Sequence, residues 1–237
     1  MIKLAISGSG GRMGARIINL ALEDKALQVM ALLEAPGHPV VGKKLSGIEV
    51  TSDIKQIANA DVVIDFTSAQ ATIANLKAAV ELKKPVVIGT TGFSEEQADK
   101  IKAAGKSIPI VFSPNMSIGV NLIFRLAGEI AKTLGRDYDI EITEAHHKAK
   151  KDAPSGTAKK MAEAIKEATK REVPMHSLRV GDVVGDHTIV FAGNSERIEL
   201  THRAHSRDVF ALGALKAAKF IAGKKPGLYS MREVLGV

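Results

Sequence analysis

The stretch Glu144-Ala145-His146-His147-Lys148-Ala149-Lys150-Lys151-Asp152-Ala153-Pro154-Ser155-Gly156-Thr157 gathers two histidines, three lysines and two carboxylates. Histidine beside lysine suits proton donation to an anionic substrate. Pro154-Ser155-Gly156-Thr157 reads as the opening of a helix, where first-turn N–H groups receive a carboxylate. Taken alone, the stretch reads better as a solvated basic loop with Ser155 as an ordinary N-cap. Neighbouring histidines on a strand face opposite sides, and neither a thiolate nor an H-x-x-x-H spacing is present. The sequence therefore predicts no metal site.

A second group changes that balance. Gly8-Ser9-Gly10-Gly11-Arg12-Met13-Gly14 lies between a run of β-formers and a helical pattern. Glycines at 8, 11 and 14 give a G-x-x-G-x-x-G relative of the dinucleotide fingerprint, in which bare backbone approaches a pyrophosphate at a helix N-terminus. Glu34 ends the next strand-like run 20 residues after Gly14, where a carboxylate accepts hydrogen bonds from an adenosine ribose. Its charge, followed by Ala35 rather than a cation, favours NADH; Arg12, Lys43 and Lys44 keep NADPH open. Gly89-Thr90-Thr91-Gly92 follows another strand, and its hydroxyls and backbone offer contacts to a nicotinamide carboxamide or make a plain connection in equal measure. With a dinucleotide site in hand, the basic cluster reads as hydride-transfer chemistry on an anionic carboxylate.

Other polar residues read more plainly. His38 sits in a Pro-Gly-His-Pro turn, and His176 and His187 are expected at the surface of strands or turns. His202 and His205 flank basic residues without a spacing that demands a ligand, and Arg203 and Arg207 read as solvated. Glu141 and Glu144 are expected to balance nearby bases rather than form an acid/base dyad.

The elements that must carry these groups follow from periodicity. Apolar runs at Ile2–Ser7, Leu27–Glu34, Asp61–Phe66, Pro85–Gly89 and Ile108–Phe112 alternate with helical segments at Arg12–Leu22, about 70–83 and about 94–105. Continuous apolar strands alternating with helices predict a parallel sheet covered on both faces. This is an α/β, Rossmann-like doubly wound domain. After the loop Ser113-Pro114-Asn115-Met116-Ser117 the pattern changes. An apolar stripe at 123–134 predicts a core helix stopped by Gly135. Strands follow at about 138–146, 176–180, 186–193 and 195–204, with one helix between the first two. Their spacing predicts a second α+β domain with a mixed or antiparallel sheet. A last long helix at 208–222 and a capping box at Ser230-Met231-Arg232-Glu233 close the chain. The expected division is 1–117 with 208–237 as the dinucleotide-binding domain and 118–207 as the substrate-binding and oligomerisation domain.

Composition narrows the classes. The 237 residues carry 33 Lys+Arg against 26 Asp+Glu, a formal charge of +7 with no cysteine, which excludes disulfides, thiolate metal sites and a cysteine nucleophile. Hydrophobic residues at 45% suffice for a core. Aromatics at 4%, with no Trp, leave few platforms for stacking bases, so the basic balance does not predict nucleic-acid binding. The opening apolar run is too short for a signal peptide, and no stretch predicts a membrane span. The expectation is a soluble, cytoplasmic protein without a membrane partner.

Gly8–Gly14, Asp65-Phe66-Thr67, Gly89–Gly92, Ser113–Ser117, the closing Gly-Leu-Tyr-Ser-Met-Arg-Glu-Val-Leu and above all E-A-H-H-x-x-K-x-D-A-P-S-G-T at 144–157 together resemble the dihydrodipicolinate reductase family along nearly the whole chain. The resemblance implies reduction of 4-hydroxy-tetrahydrodipicolinate to tetrahydrodipicolinate with NADH or NADPH and loss of water, in the diaminopimelate route to lysine. It implies His146 as acid/base residue and Lys150 as proton donor, with His147, Gly156 and Thr157 on the substrate carboxylates. It implies a cofactor site made from Gly8, Ser9, Gly10, Gly11, Arg12, Met13, Glu34, Gly89, Thr90, Thr91, Ser113, Pro114, Asn115 and Met116. It also implies a homotetramer built through the second domain's sheet. The alternatives are another NAD(P)-dependent amino-acid dehydrogenase, such as one acting on aspartate, or a nucleotide-sensing module without catalysis.

Overall fold

Apolar runs flanked by helices make the first unit of the computed structural model, which describes residues 1–236; Val237, the last residue of the expected first domain, lies outside them. In chain order these are β1 (Ile2–Ser7), α1 (Arg12–Glu23), β2 (Leu27–Leu33), β3 (Lys44–Leu45), β4 (Ile48–Thr51), β5 (Val62–Asp65), α2 (Ala69–Glu81), β6 (Val86–Ile88), α3 (Glu95–Ala104) and β7 (Pro109–Phe112). Then come α4 (Ile118–Leu134), β8 (Asp139–His146), α5 (Gly156–Thr169), β9 (Met175–Arg179), β10 (Asp186–Ala192) and β11 (Arg197–Arg203). The chain closes with α6 (Asp208–Ile221), β12 (Gly227–Tyr229) and α7 (Met231–Leu235). One compact unit comprises Met1–Met116 and Phe210–Gly236; the other runs from Ser117 to Val209.

The first unit's sheet has the order β12-β7-β6-β5-β1-β2-β4-β3. All pairings are parallel except β3 on β4. Because successive strand residues face opposite sides, Leu4 and Ile6 enter one core with α1, α6 and α7, while Ala5 enters the other with α2 and α3. Covering both faces is what makes these strands apolar without alternation.

Two features of this sheet are absent from the sequence expectations. The β3–β4 hairpin turns on Ser46 and Gly47, both at positive φ, as a two-residue loop requires; a serine there gives little signal. The edge strand β12 is three residues long, and its Pro226-Gly227 start reads as a turn. It nevertheless pairs with β7 from Gly227↔Pro109 to Tyr229↔Val111.

The second unit's sheet is mixed, in the order β11-β10-β8-β9, with β9 parallel to β8 and the other pairs antiparallel. One face packs on α4 and α5 through Ile140, Ile142, Ile189 and Phe191. The opposite positions of β8 and β10 are half-buried or exposed. Helix α4 starts five residues before the apolar stripe because the Ser117 hydroxyl caps it, accepting from the Val120 N–H at 3.3 Å.

Candidate active site

In the first unit the strand order reverses between β1 and β5, the place where ligands of such sheets bind. A cavity of about 450 Å³ opens there, with Gly8, Gly11, Glu34, His38 and Phe66 among its lining. Gly8 has φ +82°, and a Cβ on it would collide with the Phe66 carbonyl. A Cβ on Gly14 would collide with the Gly8 carbonyl. Both positions therefore exclude any side chain, and Gly11 supplies the N-cap position of α1. The Glu34 carboxylate accepts from the N–H of Gly10 at 2.9 Å and of Ala35 at 3.0 Å, which ties the loop after β2 to the glycine loop. The Ser7 hydroxyl, on the cavity wall, is buried without a partner. Bare backbone at a helix N-terminus, a carboxylate at the rim and an orphaned hydroxyl fit a nicotinamide dinucleotide.

Not every side chain of the expected cofactor group faces outward. Ser9 is fully buried and donates to the Leu33 carbonyl at 3.0 Å. Met13 packs on the core, while Arg12 is exposed. Thr90 departs from the expectation of a hydroxyl offered to the nicotinamide. Its oxygen lies 2.9 Å from the Thr72 hydroxyl and accepts from the Thr67 N–H at 3.0 Å. The cause is Asp65, a buried carboxylate at the end of β5. It accepts from the hydroxyls of Thr67 at 2.7 Å and Thr72 at 2.9 Å and from the Asn75 amide at 2.8 Å. A Cβ on Gly89 would overlap the Phe66 ring, and Thr91 is exposed. Ser113 donates to the Asn115 carbonyl at 3.0 Å, Pro114 is exposed and Met116 is core.

In the second unit the stretch 144–157 folds around one buried carboxylate. Glu144 and His146, two apart on β8, share a face, and the Glu144 side chain is wholly inaccessible. Its Oε2 lies 2.5 Å from His146 Nδ1. Arg179, opposite His146 in the β8–β9 register, donates from both terminal nitrogens, at 2.8 Å each. The Ser155 N–H donates to Oε1 at 3.1 Å. Burial pushes the Glu144 carboxyl up, but hydrogen bonds from Arg179, Ser177 and His146 outweigh it and hold it at about 2. Burial also takes His146 below the ordinary imidazole range, against the upward pull of Glu144. Glu144 thus balances nearby bases, as the sequence leads one to expect, and does so from a fully buried position inside the site.

His187 likewise lies inside rather than at the surface. Its ring meets that of His146 edge to face at 5.1 Å between centroids, and Nε2 lies 3.1 Å from the Ser155 hydroxyl. Burial, with repulsion from His146, lowers it to about 3, so the ring is neutral. The alternation of β10 contains the signal for this, since His187, Ile189 and Phe191 share one face. Lys150 pairs with Asp152 at 2.8 Å. Ser155 caps α5 by accepting from the Ala158 N–H at 3.1 Å, and the space a Gly156 Cβ would occupy is open. His147 is half-buried just past β8, and Thr157 follows Gly156 in the first turn of α5. His202 reaches the Ser117 hydroxyl at 3.3 Å, and His176 pairs with Glu141 at 2.6 Å.

The expected groups therefore assemble as two clusters. The glycine loop, Glu34 and the loops after β6 and β7 belong to the first unit; His146, His147, Lys150, Gly156 and Thr157 belong to the second. Among the described residues no helix is long and apolar enough to cross a membrane.

Residues 2–116 match the family model for the N-terminus of dihydrodipicolinate reductase, and residues 119–235 match that for its C-terminus. The 4-hydroxy-tetrahydrodipicolinate reductase of Syntrophus aciditrophicus is 45% identical over 265 aligned positions, spanning all of this chain and 99% of the relative. That of Geotalea daltonii is 43% identical with full coverage of both. Among solved structures, a dipicolinate-bound dihydrodipicolinate reductase from Paenisporosarcina sp. TG-14 superposes with a TM-score of 0.84 at 24% identity, covering 98% of each chain. Aspartate dehydrogenase from Thermotoga maritima reaches 0.57 at 9% identity, covering 95% of this chain and 98% of its own, which is a likeness of fold alone.

Proposed function

We propose that this chain, which belongs to the dihydrodipicolinate reductase family, carries out its reaction with a cofactor domain made of the first unit and a substrate domain made of the second. It is a 4-hydroxy-tetrahydrodipicolinate reductase of lysine biosynthesis that uses NAD(P)H. The observation that carries the assignment of parts is the folding of 144–157 onto Glu144. It sets a buried histidine beside the first turn of α5 and near the charge of Lys150.

A nicotinamide dinucleotide bound by the glycine loop supplies the hydride. Gly8, Gly10, Gly11 and the start of α1 receive its pyrophosphate, with Ser9, Arg12 and Met13 completing the loop. Glu34 accepts from the adenosine ribose hydroxyls, and its charge next to Ala35 favours NADH over NADPH. Residues 89–91 and 113–116 line the nicotinamide end, mainly through backbone.

The substrate is a dipicolinate-type dicarboxylate. His147 and the first-turn residues Gly156 and Thr157 of α5 bind a carboxylate, where helix N-terminal amides favour negative charge. Loss of the hydroxyl as water puts one proton on the leaving oxygen and takes one from a ring carbon. Hydride and one further proton complete the reduction, so each turnover consumes one proton from solvent. Lys150 is the donor to the leaving oxygen, released from Asp152 as the substrate's carboxylates compete for it. His146, neutral in the free protein, takes the ring proton and returns one to the reduced ring.

The homotetramer is assigned to the sheet of the second unit. The outward positions Thr143, Thr188 and Val190 are only half-buried, and Leu178 is exposed. A cytoplasmic location accords with a small-molecule substrate and the absence of cysteine. The deciding experiment follows NADH and then NADPH absorbance with substrate generated in situ from pyruvate and aspartate semialdehyde. Substrate-dependent oxidation, faster with NADH, is expected. No oxidation by protein that still binds the dinucleotide overturns the assignment of the second unit.

A further inference from the structure

We propose that Glu144 and Arg179 are a positioning pair that fixes the proton of neutral His146 on Nδ1, leaving Nε2 as the nitrogen that exchanges protons with substrate. This rests on the reading of His146 as the acid/base residue.

Acceptor counting leads to this assignment. An ionised carboxylate only accepts, with room for about four hydrogen bonds. At Glu144 that room is filled by donors: Oε1 takes Arg179 and the Ser155 N–H, Oε2 takes Arg179 and His146 Nδ1, and the Ser177 side chain adds a further hydrogen bond. Nδ1 therefore donates, and in a neutral ring Nε2 is the free acceptor. Arg179 has two functions. Its fork compensates a carboxylate with no access to water, and it keeps Glu144 from taking the Nδ1 proton for itself. Arg179 is fixed in turn by the Asp152 carbonyl, to which it donates at 2.5 Å, so the pair also ties the loop carrying Lys150 to β9.

The room at Nε2 is equally specific. A Cβ on Gly185, just before β10, would stand 3.1 Å from Nε2. Since Glu144 holds the other side of the ring, the ring has little freedom to yield. The groups facing His146 are Glu144 on its own strand, Arg179 on β9, His187 on β10 and Lys150 in the following loop. His187 is neutral, so Glu144 alone draws a proton towards His146, while Lys150 and Arg179 repel it. Removing the Glu144 charge lowers the affinity of His146 for its proton.

The test is nitrogen-15 NMR of histidine-labelled full-length protein, with His146 assigned from its loss in His146→Gln, alongside steady-state kinetics. In the unsubstituted protein the neutral His146 ring is expected to carry its proton on Nδ1. In Glu144→Gln the amide presents a donor, the proton moves to Nε2, and kcat falls on the order of 10³–10⁴-fold, approaching the scale seen when an acid/base histidine loses its orienting carboxylate. The KM for dinucleotide should stay unchanged, and the His146 inflection in the pH profile should move to lower pH. Gly185→Ala keeps the pair but crowds Nε2, so kcat should fall roughly tenfold with the Nδ1–H tautomer retained; it serves where Glu144→Gln does not fold. A proton on Nε2 in the unsubstituted protein overturns the proposal, as does a kcat within about threefold of it in either variant that folds. Full activity in His146→Gln overturns instead the role of His146 on which the pair depends.

Discussion

Asp65 and Glu144 are both carboxylates with almost no access to water, one in each unit, and their partners differ in kind. Asp65 is surrounded by neutral donors: the hydroxyls of Thr67, Thr72 and Thr90 and the amide of Asn75. These bind together the ends of β5 and β6 and the first turns of α2, so Asp65 fixes the shape of loops. Glu144 is met by a guanidinium and an imidazole. It fixes a proton's location as well as a shape. A carboxylate ringed by hydroxyls makes a scaffold, and one ringed by titratable or cationic groups controls charge.

The sharpest way to break this comparison is at the group Glu144 serves. His146→Gln should reduce turnover by roughly 10²–10⁴ with dinucleotide binding, followed by nicotinamide fluorescence, unchanged; equal loss of both would erase the distinction between the units. Asp65→Asn should give the opposite pattern. Its amide places a donor among donors, so urea unfolding should show a loss of about 2–3 kcal/mol. The KM for dinucleotide should rise while kcat holds. On the cavity wall of the first unit Glu34 is the carboxylate expected to meet the ribose, and Ala35→Arg should move the NADPH-to-NADH ratio of kcat/KM up by roughly tenfold, about the worth of one charge-assisted bond to a phosphate. An unchanged ratio would place recognition of the 2′ position elsewhere.

The last prediction concerns stability. Folded His187 titrates at about 3, against an ordinary 6.5. Between those values the unfolded chain holds the extra proton, so His187 contributes stability that is fully present above 6.5 and lost as pH falls towards 3. One such proton changes unfolding free energy by about 1.4 kcal/mol per pH unit. His187→Gln should flatten the stability profile between pH 6.5 and 4.5 by about that slope, measured by urea titration. A parallel profile would mean that the ring is already charged in the folded protein.

The sequence shows the parallel sheet and the glycine loop plainly, because both are written locally: β1 and β5 are mostly apolar, broken by Lys3 and ended by Ser7 and Asp65, and Gly8 and Gly14 sit where any Cβ collides with backbone. The reactive stretch 144–157 is legible for the same reason. What supports it is not. Arg179 lies 35 residues beyond Glu144 and reaches it only through the parallel β8–β9 register, which no local pattern encodes. His187 shares the alternation of β10, yet its polarity suggests solvent until Ser155 and His146 are known to face it. Thr90 offers a hydroxyl in the sequence, and Asp65 turns it inward. The short β3 and β12 depend on neighbours already in place, so their own residues say little.

The first sheet is finished by residues from after the second unit. β12 forms its edge, and Ala211, Ala214, Leu215, Ala218 and Ile221 of α6 fill the core under β1. On the ribosome, residues 117–209 emerge in full while the earlier part still lacks two helices and a strand. The younger segment therefore has its partners before the older one does. Until residues 210–236 have been made, the N-terminal part waits with the apolar surface that α6 and α7 cover still open.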